Sequence, residues 1–203
     1  NIFLIRDMLK SLKTILIQYL FVMEIYDNFL SSEEFNEIVD FVNDDNTLWE
    51  RSVKTIGDDA EDNFQYVHKV YGRMAPISPF YDISWSVLSR VRPIAIHRIK
   101  INMEPKHPKR FFSQFHYDWN SDRGTHENPI GCATMSTGIL YLDNTNGYTE
   151  FETGEIVESV ENRFIEFPSN ILHRGVSQTD ADWRGVINFN YFVGDPESRN
   201  LNK

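Results

Sequence analysis

Residues 184–193 read RGVINFNYFV, and their alternation is clear. On a strand, Gly185, Ile187, Phe189 and Tyr191 share one face, while Arg184, Val186, Asn188 and Asn190 share the other, because successive side chains point to opposite sides. A strand with an apolar outer face and a polar inner face suits a barrel whose lumen holds a small polar ligand. An arginine in such a lumen can grip a carboxylate through two parallel hydrogen bonds.

Eleven residues before Arg184 stands His173, in FPSNILHRG (167–175) after a run ending at Pro168. Another 55 residues upstream is Asp118, in Phe115-His116-Tyr117-Asp118. If Phe111–Tyr117 is a strand, His116 and Asp118 project side by side. His116, Asp118 and His173 then form a two-histidine, one-carboxylate set. Such a set holds iron on one side and leaves positions open for a cosubstrate and O2.

The rest of the chain sets this candidate site in an α+β frame. Glu24–Leu30 reads as a short strand. Ser31 or Ser32 caps a helix EEFNEIVDFV, with Glu33 and Glu34 in its first turn and Phe35, Ile38, Val39 and Val42 on its buried face. Pro79–Arg90 reads as a second helix with proline in its first turn, stopped by Pro93. Short β-rich runs follow at Ile94–Met103, Phe111–Tyr117, Gly138–Leu142, Arg163–Phe167 and Arg184–Val193. Helices first and many short strands after predict a sandwich or small barrel in the C-terminal half.

Composition narrows the class. The chain has 203 residues, a net charge of −10 and a single cysteine, Cys132. That is enough for one domain with a real core, without an intramolecular disulfide or a four-cysteine zinc site. The net charge argues against a surface built wholly to grip nucleic acid or anionic lipid. Residues 1–22 are read as an amphipathic helix on the domain or as upstream sequence, with the domain over 23–203. The apolar stretch Ile15–Met23 is about half of the ~20 residues a membrane helix needs, and no small-x-small cleavage site follows it. A cytoplasmic protein is expected, since one cysteine suits a reducing compartment. Nothing in the sequence sets an oligomeric state.

The ordered set of H-x-D, distal histidine and following arginine resembles the Fe(II)/2-oxoglutarate-dependent dioxygenases. The segments TGILYLD (137–143), NGYTEF (146–151), NRFIEFPSNILHRG (162–175) and RGVINFNYF (184–192) are similar to the prolyl-4-hydroxylase-like branch, most of all to small stand-alone members of bacteria and their viruses. Tyr148 stands where many relatives carry a second glycine. The resemblance covers about Glu24 to Val193. It implies a double-stranded β-helix, a jelly-roll or cupin-like barrel, with helices packed on one sheet. It implies His116, Asp118 and His173 as iron ligands and Arg184 as the partner of the distal 2-oxoglutarate carboxylate, with Asn102 and Tyr141 as further cosubstrate contacts. The implied activity is hydroxylation of a C–H bond, peptidyl proline first, coupled to decarboxylation of 2-oxoglutarate to succinate and CO2, with O2 consumed and ascorbate a further cofactor of the family. A peptide or protein substrate is expected ahead of nucleic acid. The alternatives are a jelly-roll binding module without turnover and a cupin-type dioxygenase that does not use 2-oxoglutarate. The latter gives Arg184 no role.

Other residues carry weaker expectations. Trp119, Arg123 and Arg174 are candidates for the substrate mouth. His68, His97, His107 and His126 read as ordinary surface or loop histidines, Cys132 as a packing residue, and Asp58–Asp62 as a solvated acidic loop. Residues 90–110 carry Arg90, Arg92, Arg98, Lys100, Lys106, Lys109 and Arg110 against Glu104 alone. They read as a solvated basic loop or as an electropositive approach to the site.

Overall fold

The structure is a computed structural model, and it describes residues 23–53, 64–118 and 135–193. The N-terminal segment, the 58–62 acidic loop, Trp119, Arg123, His126 and Cys132 lie outside the described residues.

Strand β1 (Glu24–Tyr26) is shorter than the sequence suggested, because the chain turns at Asn28 (φ 52°). Phe29 and Leu30 are buried behind the turn. Asn162 fixes them there: its amide receives the Leu30 N–H at 3.0 Å and donates to the Leu30 carbonyl at 2.9 Å, and its carbonyl receives the Phe29 N–H at 3.0 Å.

Helix α1 (Ser32–Asn43) begins at Ser31 with a capping box. The Ser31 hydroxyl accepts from the Glu34 N–H at 3.3 Å, and the Glu34 carboxylate accepts from the Ser31 N–H at 2.9 Å. Two otherwise orphaned backbone donors are thereby satisfied. Phe35, Ile38 and Val42 are buried, and Val39 packs against the same core.

The second predicted helix is two short ones, α2 (Phe80–Ile83) and α3 (Trp85–Val91). They meet at Ser84, which is fully buried and turns its hydroxyl onto the Tyr81 carbonyl at 2.6 Å. A hydroxyl that bonds backward in this way competes with straight helix geometry. Arg92 closes α3 in the left-handed region (φ 47°), and Pro93 forbids continuation.

Arg90 of α3 donates to both Glu34 oxygens at 2.9 and 2.7 Å. That hydrogen-bonded pair lowers the Glu34 pKa from its ordinary 4.5 to about 2. A depressed carboxyl stabilises the fold above its unfolded pKa, and the contribution is lost as pH falls through the folded one. Glu34→Gln keeps the capping box and removes the charge. The Tm gap between wild type and Glu34→Gln is therefore expected at pH 6 and should close between pH 4.5 and 2. A gap independent of pH in thermal melts would refute this role for the pair.

The strands form two sheets. The remaining members are β2 (Glu50–Val53), β3 (Phe64–Gly72), β4 (Ala75–Pro76), β5 (Ala95–Pro105), β6 (Met135–Tyr141), β7 (Tyr148–Phe151), β8 (Ile156–Glu158), β9 (Phe164–Pro168), β10 (His173–Val176) and β11 (Trp183–Phe192). The major sheet runs β1-β9-β6-β11-β5-β3-β2, with β4 on β3, and the minor sheet runs β10-β7-β8. Among the described residues all strand pairings are antiparallel.

Two apolar clusters show how the layers stack. Ile99 and Ile101 of β5, Leu140 of β6, Phe164 of β9, and Ile187, Phe189 and Tyr191 of β11 face the three helices. Ile139 and Tyr141 of β6, Ile165 and Phe167 of β9, and Val186 of β11 face the other way, onto Phe151 and Val157 of the minor sheet. Gly138 matters on the helix side, because a Cβ there would lie 2.5 Å from the Phe164 ring. Helices thus cover the outer face of the major sheet, and the two sheets enclose a lumen. This is the double-stranded β-helix expected from the sequence.

Further elements differ from expectation, among them the short strands β2, β4, β7, β8 and β10, which the sequence reading did not include. Phe111–Tyr117 is not a ladder strand; its pairing with β10 is limited to the isolated bridges Phe112 to Val176 and His116 to His173. Strand β3, which was not expected at all, pairs along the middle of β5.

Candidate metal centre and lumen cavity

His116, Asp118 and His173 offer ligand atoms that all lie within 4.8 Å of one another. The His116 N–H donates to the His173 carbonyl at 3.0 Å, and the His173 N–H donates to the His116 carbonyl at 3.1 Å. This reciprocal bridge, rather than a full strand, holds the two imidazoles 4.6 Å apart between centroids. His173 Nδ1 lies 3.0 Å from the Ile171 carbonyl, and His116 Nδ1 lies 3.1 Å from the Gln114 carbonyl. With protons placed on Nδ1, both Nε2 lone pairs are free for a metal, the usual arrangement behind a ligating histidine. His173 Nε2 stands 3.7 Å from Asp118 Oδ2.

Asp118 is held by three neighbours. Thr137 Oγ1 donates to Oδ2 at 3.0 Å, Asn190 Nδ2 donates to Oδ2 at 3.1 Å, and Arg98 Nη2 donates to Oδ1 at 3.2 Å. Asn190 also receives Arg98 Nε at 3.0 Å and donates to Thr137 at 3.1 Å, so the three orienting residues are tied together. Burial alone pushes the Asp118 carboxyl up. His173, then Arg98, Lys100 and His116, reverse this and hold it at about 2. Burial also pushes His173 down, with Asp118 working against it. At neutral pH the set is therefore one carboxylate and a buried, unprotonated imidazole beside His116. It carries the negative charge and imidazole lone pairs that a borderline divalent cation takes, and these residues fit Fe(II).

A cavity of about 360 Å³ opens from this set into the lumen. Asn102 and Lys100 of β5, Thr149 of β7, and Arg184, Val186 and Asn188 of β11 are among its walls. Arg184 lies deep and is only 4% exposed. Its guanidinium stands 5.7 Å from the Tyr141 ring centre. Gly147 packs directly on its stem, since a Cβ there would come within 2.6 Å of Arg184 Cδ. Among the described residues Arg184 Nε, Asn102 Oδ1 and Asn188 Oδ1 find no hydrogen-bond partner. Buried groups in this condition suit a polar ligand.

The other sequence candidates fall in different places. Asn102 reaches the cavity. Tyr141 stands one layer behind it, fully buried, its hydroxyl donating to Thr149 Oγ1 at 2.7 Å. Arg174 is not among the cavity walls. It pairs with Glu150 at 2.8 Å and lies over the rings of Phe112 and Phe115, clamping the 111–118 segment to the minor sheet.

Three surface readings need correction. His68 is buried, with Nδ1 2.8 Å from the Leu48 carbonyl and Nε2 2.6 Å from Ser78 Oγ; it ties β3 to its surroundings. His107 is buried too. The basic 90–110 segment is neither a loop nor one patch. Most of it is β5, which sends Arg98 and Lys100 inward, while Arg90 serves Glu34 and Lys106 lies 3.9 Å from Asp182 on the outside. Sequence reasoning missed Thr137 and Glu104. Strand parity with Asn102 pointed to Lys100, and the alternation of β11 pointed to Asn188 and Asn190.

Comparison with known proteins bears on this geometry. No family model and no curated protein matches the chain. Solved structures do. A 2OG-Fe(II) oxygenase family oxidoreductase from Burkholderia pseudomallei superimposes with TM-score 0.57 at 15% identity, over 84% of each chain. The fold is that of the 2OG-Fe(II) oxygenases. The same fold is seen in a prolyl hydroxylase from Trichoplax adhaerens in complex with a hypoxia inducible factor peptide fragment, with TM-score 0.57 and 15% identity over 95% of this chain and 93% of that one. It is seen again in HygX from Streptomyces hygroscopicus with nickel, 2-oxoglutarate and hygromycin B bound, with TM-score 0.56 and 10% identity over 90% and 87%. On this oxygenase fold the His-Asp-His set and Arg184 share one lumen. Among the described residues no helix is long and apolar enough to cross a membrane.

Proposed function

We propose that the protein is an Fe(II)- and 2-oxoglutarate-dependent oxygenase that hydroxylates a C–H bond, with a peptidyl proline as substrate. The observation that carries this reading is the conjunction of the His116, Asp118 and His173 set with a buried arginine in one cavity. A binding module needs no metal set of this kind, and a cupin-type enzyme without 2-oxoglutarate leaves Arg184 Nε, unpartnered among the described residues, without a ligand. The choice of peptidyl proline is supported by the resemblance of residues 137–151 and 162–175 to prolyl hydroxylases.

His116, Asp118 and His173 would hold the iron on one side. Bound there, Fe(II) supplies the one-electron chemistry of O2 activation and couples it to 2-oxoglutarate decarboxylation. The chain does the rest. Arg184 takes the distal carboxylate through its fork, and Asn102, in the cavity wall, offers its amide N–H to an oxygen of the same molecule. Thr149, fixed by Tyr141, lines the wall beside them. Burial of Arg184 removes competing water, so the cosubstrate is oriented by few, strong contacts. Residual ascorbate dependence is expected by the same resemblance.

The test is succinate release from 2-oxoglutarate with Fe(II) and O2, without and with proline-containing peptides. Slow uncoupled release that a peptide accelerates supports the full reading. No release at all would reject it, and release accelerated only by non-peptide molecules would reject the peptide substrate.

The orienting contacts on Asp118 give a further expectation. Asn190→Ala removes one donor to Asp118 and frees Arg98 and Thr137, so metal affinity should fall by ~10–100-fold, the usual cost of losing an outer partner of a ligand. Mn(II) titration followed by electron paramagnetic resonance measures this. Unchanged affinity would show that Thr137 and Arg98 suffice.

A further inference from the structure

Glu104 faces the same cavity as Arg184. The two are directly opposed across β5 and β11. Their side chains are equally buried, 5% exposed each, with Nη1 and Oε2 3.7 Å apart. This separation is an ion pair but longer than a hydrogen bond, so the guanidinium fork is not saturated. Arg184 Nε has no partner among the described residues. The Glu104 backbone is fixed by Gln178 Nε2, which donates to its carbonyl at 2.9 Å. A carboxylate has therefore been built into the place where the cosubstrate's distal carboxylate is read to bind.

We propose that Glu104 is a resident counter-ion of Arg184 that weakens binding of a distal carboxylate and so sets the cavity's selectivity among 2-oxo acids. This rests on the reading of Arg184 as the carboxylate holder. An incoming dianion must share one guanidinium with Glu104, and two like charges within a few ångströms in a water-poor site oppose each other. Lys100, on the same face of β5 and also in the cavity wall, offsets part of this repulsion. A 2-oxo acid with an uncharged distal end meets no such opposition. Glu104 thus narrows the preference for 2-oxoglutarate over uncharged homologues, a form of selection by repulsion.

The experiment is calorimetric titration of Mn(II)-loaded protein with 2-oxoglutarate and with 2-oxopentanoate, which has the same chain length and no distal carboxylate. Glu104→Gln should tighten 2-oxoglutarate by about tenfold and leave 2-oxopentanoate within about twofold, the repulsion of one neighbouring charge being removed. Glu104→Asp, which keeps the charge, should stay near wild-type selectivity. Thermal melts should show Glu104→Gln destabilised without ligand and recovered with 2-oxoglutarate, because the cosubstrate then supplies the missing anion. A Glu104→Gln protein that binds 2-oxoglutarate no more tightly, or in which both acids shift alike, overturns the proposal. Arg184→Met separates the two failures. If it binds 2-oxoglutarate as wild type does, the reading of Arg184 fails and the proposal with it. If it loses 2-oxoglutarate while Glu104→Gln gains nothing, the proposal alone fails.

Discussion

Asp118→Ala should abolish Fe(II)-dependent succinate release and lower metal affinity by more than the ~100-fold that marks the upper range for outer partners. The expectation follows from its position. Asp118 is the anionic member of the set, and Thr137, Asn190 and Arg98 all aim hydrogen bonds at it. Removing the carboxylate leaves two imidazoles and takes away the charge that offsets desolvation of a divalent cation. It also leaves Arg98 without its anion, so some loss of stability is expected. Asp118→Asn answers that complication. The amide keeps the shape, and its oxygen can still accept from Thr137 and Asn190, losing only the Arg98 contact, so the fold should survive while metal binding is lost. Mn(II) titration and thermal melts on both variants separate the two effects. An Asp118→Asn protein that still binds Mn(II) as wild type does would show that the site is not built as read.

How much of this was legible beforehand depended on whether the signal was local. The alternation of residues 184–193 survived because β11 is central: one face meets the helices and the other the lumen. His116, Asp118, His173 and Arg184 were legible as chemistry, since such residues rarely occur together in strand-rich sequence without a shared ligand. Strand β3 was not legible because FQYVHKVYG is partly or fully buried on both faces apart from Lys69 and shows no clean period of two. Phe111–Tyr117 erred in the other direction. It is rich in aromatics, but it meets the minor sheet through two bridges and a cation clamp rather than a ladder.

The basic segment failed for a geometric reason. Charge summed along the chain treats neighbours as neighbours, but on β5 alternate residues leave by opposite faces. The pairing of Glu104 with Arg184 was hidden for a related reason. They are eighty positions apart, and only the register of β5 against β11 places them opposite each other. Sequence parity told which face each residue occupies, not which partner it meets there.

That pairing shapes the second large effect. Arg184→Met should weaken 2-oxoglutarate binding by two to three orders of magnitude, ~3–4 kcal/mol, as expected when one partner of a buried, hydrogen-bonded charge pair is truncated. Arg184→Lys should fall between, because an ammonium is a point charge and cannot fork onto a carboxylate. The methionine variant should also be less stable without ligand, for a different reason: Glu104 is left buried opposite an uncharged side chain. Stability and affinity can be taken apart by the double variant Arg184→Met with Glu104→Gln. Removing both charges together should recover much of the melting temperature, since a neutral pair costs less to bury than a single charge. It should not recover 2-oxoglutarate binding, because the fork is still missing. If the double variant regained both, the loss in Arg184→Met would be a consequence of misfolding, and Arg184 would be a structural ion-pair member rather than the residue that holds the cosubstrate. Loss of 2-oxoglutarate in a protein that melts like wild type and still binds Mn(II) places the defect on the carboxylate contact itself.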